Sequence, residues 1–229
     1  MSESIIVARP EGQALQLMLL FHGVGADAAD LVPLGRLLAA EFPAAFIVSI
    51  AAPWPSDAGG GRQWFPVQGI DEANRPARVD AAMPAFVATV AQWQQEAGVD
   101  LDAVALIGFS QGGIMALEST RDRPAIAGRV VSIAGRFARL PEAANPDTTL
   151  HMFHGKADPV IPYGFTVEAA QHLVRIGADV TADVIPHVGH QVDPAIAEVL
   201  IERLRGHLPR RTWEAAMRAA RAGQGERDD

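Results

Sequence analysis

No cysteine occurs among the 229 residues. That absence removes a disulfide framework, a thiolate zinc site and a cysteine nucleophile together. Basic residues are also short: 19 Lys and Arg against 27 Asp and Glu leave a formal charge of −8. Such a balance argues against nucleic acid, which needs a basic footprint, and disfavours tight binding to anionic membranes. No uncharged stretch reaches the roughly 18–20 residues that span a bilayer. The opening MSESIIVARPEG has Glu3 where a secretion signal carries positive charge, and its apolar run is too short. A cytoplasmic chain without a membrane span is expected.

What is present describes an ordinary globular protein, 49% hydrophobic and 20% charged, long enough for one α/β domain. Continuous apolar runs at 13–21, 44–50, 103–109, 129–134, 148–153 and 180–186 read as strands buried on both faces, with 3–8 as an edge strand. Between them lie helical patterns. Residues 81–97 set Met83, Phe86, Val87, Val90, Trp93 and Ala97 on one face, ending at Gly98; Pro84 either sits in a first turn or interrupts a helix that began earlier. Residues 163–176 place Val167, Leu173 and Ile176 inward, and a last helix opens on Asp193 and Pro194 and buries Ile196, Val199, Leu200 and Leu204. Strand–helix alternation implies a mostly parallel sheet covered on both faces, with ligands beyond the C-terminal strand ends.

Two segments break the alternation. Residues 51–79 are a long Pro- and Gly-rich connection carrying Trp54, Trp64 and Phe65, so it is either functional or disordered. The domain is expected to span 1–208, and 209–229 to be a tail, weakly helical around Trp213 and Met217 and disordered over GQGERDD. Trp213, Ala216 and Met217 form a small apolar strip that docks on the domain or on a partner.

The chemistry centres on GFSQG, residues 108–112, a G-x-S-x-G corner between strand 103–109 and the helix QGGIMALEST. A serine there takes strained backbone angles, and glycines on either side leave no Cβ to collide. Ser110 then stands at a helix N-terminus, where the dipole favours developing negative charge. Serine is a weak nucleophile without a base held by an acid, in chain order Ser, acid, His, each past a strand end. Asp158 follows strand 148–153, and Pro159 holds the residue before it extended. His190 and His187 both follow the last strand; His190, beside Gly189, has the better placement. An oxyanion hole would draw one N–H from Gln111 and one from Val24 in the loop FHGVGAD, which His22 either braces or merely ends.

Other readings fall away. His151 and His154 of HMFH are an odd number apart on a strand, so they point to opposite faces and do not chelate together. AGGGR lacks the Lys-Ser/Thr of a phosphate loop, and no G-x-G-x-x-G joins a strand to a helix. No metal or other cofactor is expected.

Taken together, LLFHGVGAD, GRQWFPVQGI, RVDAAMPAF, GFSQGGIMALE, HGKADPVIPY and the late GH resemble the carboxylesterase/phospholipase branch of the α/β-hydrolases, which includes acyl-protein thioesterases. The resemblance covers about nine-tenths of the chain. It implies an α/β-hydrolase fold without a large cap, a Ser110–Asp158–His190 triad, Val24 and Gln111 at the oxyanion, and Trp64 and Phe65 walling an acyl pocket. The implied partner is a small-molecule ester or thioester, in a bacterial cytoplasm, with a homodimer left open. Short or water-soluble acyl groups suit a site without a cap; a thioesterase or lysophospholipase is the alternative on the same residues.

Overall fold

In the computed structural model, backbone is described for residues 3–121 and 124–225, and side chains as far as 221. Strands β1 (Ile5–Ala8), β2 (Gln16–Phe21) and β3 (Ala45–Ile50) open the chain, with helix α1 (Val32–Glu41) between the last two. A small hairpin, β4 (Trp54–Pro55) with β5 (Arg62–Gln63), precedes α2 (Arg75–Ala97). Then follow β6 (Val104–Phe109), α3 (Gln111–Glu118), β7 (Arg129–Ile133), β8 (Thr149–Gly155), α4 (Gly164–Arg175), β9 (Asp179–Ile185), α5 (Pro194–Gly206) and α6 (Arg210–Gly225).

Seven strands make one sheet in the order β1-β3-β2-β6-β7-β8-β9, parallel except for β1, which pairs antiparallel with β3. The period of two sorts each strand between two cores. Leu17, Leu19 and Phe21 of β2 join Phe86, Val90 and Met115 of α2 and α3 on one face. Met18 and Leu20 join Leu34 and Leu38 of α1 and Ile196, Leu200 and Leu204 of α5 on the other. This is the α/β-hydrolase arrangement.

Most expected elements are present with ends shifted by a residue or two. Helix α2 begins at Arg75, six residues before the spacing announces it, with Pro76 in its first turn and Pro84 in its interior. Helix α1 is not announced at all, because Pro33 and Gly35 interrupt its pattern. In α4 the buried residues are Thr166, Ala169 and Leu173, whereas Val167 is 37% exposed, a correction to its expected inward placement. The connection over 51–79 is ordered: it holds the β4–β5 hairpin, and Asp57 accepts hydrogen bonds from the Val67 and Gln68 amides.

The tail is helical through Gly225, and 226–229, part of the segment expected to be disordered, lie outside the described residues. Its first turn is fastened to the N-terminal edge of the sheet. Asp179 accepts from the Arg210 amide at 2.9 Å, and Arg211 pairs with Asp102 at 2.8 Å. Trp213 and Met217 beyond that point stay exposed.

Candidate active site

The C-terminal ends of β2, β6, β8 and β9 gather four loops at one rim. At the end of β6 the chain turns from strand to helix within a single residue, Ser110, at φ 52° and ψ −115°. A non-glycine residue held there stores on the order of 1–3 kcal/mol, sustained by its surroundings. Those surroundings are visible: the Ser110 amide donates to the Ile133 carbonyl at 2.9 Å, and the Ser110 carbonyl accepts from Ile114 at 2.9 Å. A Cβ on Gly108 would lie 2.3 Å from the Gly112 carbonyl, so the corner closes only on glycine.

Loops after β8 and β9 deliver the other two groups. His190 Nε2 lies 2.9 Å from Ser110 Oγ, and His190 Nδ1 lies 2.7 Å from Asp158 Oδ2. The remaining Asp158 oxygen accepts the Val160 and Ile161 amides at 2.8 and 2.9 Å. Burial pushes the Asp158 carboxyl up, but the His190 hydrogen bond and these amides outweigh it, and the net direction is down. An ionised carboxylate only accepts, so Nδ1 carries the ring hydrogen and Nε2 is left to take the serine proton. The two loops are stitched together by Lys156 N–H to Ile185 O and Ala157 N–H to Val188 O. Gly155 has to be glycine here, since a Cβ would meet the Val188 carbonyl at 2.3 Å. His187, the other histidine considered, is exposed at φ 63° while His190 makes the contact to Ser110.

The loop after β2 lies against the nucleophile: a Cβ on Gly23 would be 3.2 Å from the Ser110 Cβ. Among the described residues the Val24 N–H meets no hydrogen-bond acceptor, and the Gln111 N–H, first in α3, has no partner within its helix. His22 sets the peptide that carries the Val24 N–H. Its Nδ1–H donates to the Gly23 carbonyl at 2.7 Å, while Nε2 accepts the Ala52 amide at 3.1 Å. A carbonyl only accepts and an amide only donates, so this ring is one neutral tautomer. Burial also lowers its pKa, against the Gly23 hydrogen bond. The bracing reading of His22 therefore describes its contacts, and the hairpin adds Gly25 N–H to Arg62 O at 2.9 Å.

Trp64 and Phe65 are 3% and 1% exposed and belong to the core. Trp64 packs edge-on against Phe21 and Phe86. An aromatic pair on a long loop reads equally well as wall or as packing, and Trp64 makes both of these ring contacts. They still touch the site through their backbone: the Gln111 side chain accepts from the Trp64 amide and donates to the Phe65 carbonyl, both at 2.7 Å. Trp64 Nε1–H also donates to the His22 carbonyl at 2.8 Å. Sequence reasoning missed this clamp on the helix start, and missed His154, whose Nε2 is 3.2 Å from Asp158 Oδ2. The only signal for the latter is a histidine four residues ahead of the acid.

Comparison with known proteins shows the family. The family model described as phospholipase/carboxylesterase matches residues 2–208. The chain belongs to the phospholipase/carboxylesterase family. Within it, the chain is 44% identical over 221 residues to the esterase YpfH of Escherichia coli strain K12, covering 96% of this chain and 95% of that protein. It is 30% identical over 179 residues to acyl-protein thioesterase 1 of Neurospora crassa, covering 71% and 72%. Among solved structures, the esterase PE8 superposes with a TM-score of 0.80 at 25% identity, over 90% of this chain and 99% of that one. A carboxylesterase from Mesorhizobium loti shares the fold at a TM-score of 0.72 and 24% identity, over 85% and 90%. The matched family region stops at 208, just before α6.

Proposed function

We propose that the protein is a serine carboxylesterase that hydrolyses short or water-soluble carboxylic esters through an acyl-enzyme. His190 takes the Ser110 proton as Oγ attacks the carbonyl carbon. The tetrahedral oxyanion rests on the Val24 and Gln111 amides, and Asp158 holds the imidazole and offsets its positive charge. The alcohol departs with the proton from His190. Water then attacks the ester at Ser110, with His190 again as base, and the carboxylic acid is released.

One observation carries the reading: an unbroken hydrogen-bonded chain from Ser110 Oγ through His190 to Asp158, on a serine held at φ 52°. The preference for small acyl groups rests on the β7–β8 connection, residues 134–148, which holds no helix that could cover Ser110. Thioesters are the second reading, since relatives at about 30% identity are named acyl-protein thioesterases. Cytoplasmic location belongs to the proposal as well; among the described residues no helix is long and apolar enough to cross a membrane.

Matched esters and thioesters of acyl lengths from two to sixteen carbons test the reading. Highest kcat/KM on short oxygen esters is the expected result. A maximum on long chains or on thioesters would replace it.

A further inference from the structure

Strand β8 ends on a buried histidine that the proposed reaction does not use. His154 is fully buried beneath the acid loop, and its ring makes three contacts. Nε2 lies 2.7 Å from the Ile161 carbonyl and 3.2 Å from Asp158 Oδ2; Nδ1 lies 2.8 Å from Thr166 Oγ1 on α4. The Ile161 carbonyl only accepts, so Nε2 carries the hydrogen and Nδ1 takes the Thr166 hydroxyl.

We infer that His154 is a positioning residue for the general-base pair, acting through Asp158: its Nε2–H, shared between the Ile161 carbonyl and Oδ2, fixes the carboxylate plane facing His190. The inference rests on the Ser110–His190–Asp158 reading above and deepens it. Oδ1 is held by the Val160 and Ile161 amides, but these leave the carboxylate free to tilt about the axis through Oδ1. His154 supplies the second point on the far oxygen. The same ring ties down Ile161, whose own amide is one of the Oδ1 donors, so one side chain closes the loop from Asp158 to Ile161 on itself. Thr166 anchors the ring to α4 and prevents it from turning over.

Charge explains why a histidine suits this place. Burial pushes the His154 ring below its ordinary pKa, against the Ile161 and Asp158 contacts, so it donates without bringing a second cation to the acid. Among the described residues, the titratable groups facing Asp158 are His190 from the loop before α5 and His154 from β8; Thr166 on α4 adds only a hydroxyl. Asp158 therefore balances one imidazolium, the one formed in the reaction. A carboxylate that loses the His154 donor keeps more negative charge for that imidazolium, so the acid limb of activity moves to higher pH.

The test compares wild type, His154→Phe, His154→Gln and Ser110→Ala on a short p-nitrophenyl ester across pH 5–9. His154→Phe is expected to lower kcat about tenfold, the scale of one hydrogen bond to a charged group, with KM within twofold. Its kcat/KM acid limb should shift upward, and His154→Gln, which restores an N–H donor, should recover most of both changes. A wild-type profile in His154→Phe overturns the inference, as does an equal loss in both variants with no movement of the acid limb. Turnover retained by Ser110→Ala would overturn the serine-hydrolase reading itself, which separates the two failures. If His154→Phe does not fold, Thr166→Val carries the same measurement, and an unmoved acid limb there overturns the inference.

Discussion

Gly112 lies so close to Phe21 that a Cβ at residue 112 would stand 2.1 Å from the Phe21 carbonyl oxygen. The nucleophile helix is thus pressed directly on the strand whose end carries Gly23 and Val24, and the two halves of the proposed oxyanion hole share one backbone contact. Gly112→Ala should destabilise the fold by about 1–3 kcal/mol, the cost of overpacking, and lower kcat beyond what the residual folded fraction explains. Urea unfolding and activity per folded molecule measure both; wild-type values in each would show that the contact yields freely.

The His22 contacts predict a second effect on the same hole. His22→Phe keeps a ring but releases the Gly23 carbonyl, and with it the orientation of the Val24 N–H. The expected loss in kcat is about 10–100-fold with KM nearly unchanged, short of the roughly 10²–10³ that removing a donor outright costs. A rise in KM at constant kcat would assign His22 to substrate binding instead.

Asp158→Asn is expected to lower turnover by about 10⁴, because the amide turns His190 to the wrong tautomer while leaving the loop in place. A loss of only a few-fold would mean that another group orients the base.

Much of this site was legible because chemistry of this kind is punctuated in sequence. Gly108, Ser110 and Gly112 mark the corner, and Asp158 and His190 follow strand ends whose apolar runs are easy to see. Tertiary contacts without a period were not legible. Trp64 and Phe65 sit on a loop, and only their burial in the core, with Trp64 against Phe21 and Phe86, reveals that they are core. His154 was weighed as a metal ligand and dismissed on strand geometry, which is sound but silent about the acid loop folding back over it. Helix α1 escaped because Gly35 is a poor helix residue that burial against β1 and β3 overrides, while Pro33 sits in the first turn, where proline is tolerated.

Acid stability follows from a histidine far from the site. His151 is fully buried between Thr181 and Arg129, and burial first, then the Arg129 charge, lower its pKa from 6.5 to about 3. The unfolded chain takes up the proton near pH 6.5 while the folded one does not until about pH 3. The stability this group contributes is thus complete above pH 6.5 and is lost as pH falls toward 3, with a slope of about 1.4 kcal/mol per pH unit. Urea unfolding at pH 7, 6 and 5 should show a shallower decline in His151→Phe than in wild type. Equal slopes would place the acid sensitivity elsewhere.

Everything in the proposed reaction requires that Ser110 be an activated nucleophile. A fluorophosphonate incubated with the purified protein, followed by peptide mass spectrometry, tests that requirement most directly. The account predicts stoichiometric phosphonylation on the peptide containing Ser110, absent in Ser110→Ala and much slowed in Asp158→Asn. An unlabelled wild-type protein that still hydrolyses esters, or a label on any other residue with Ser110 untouched, would contradict it.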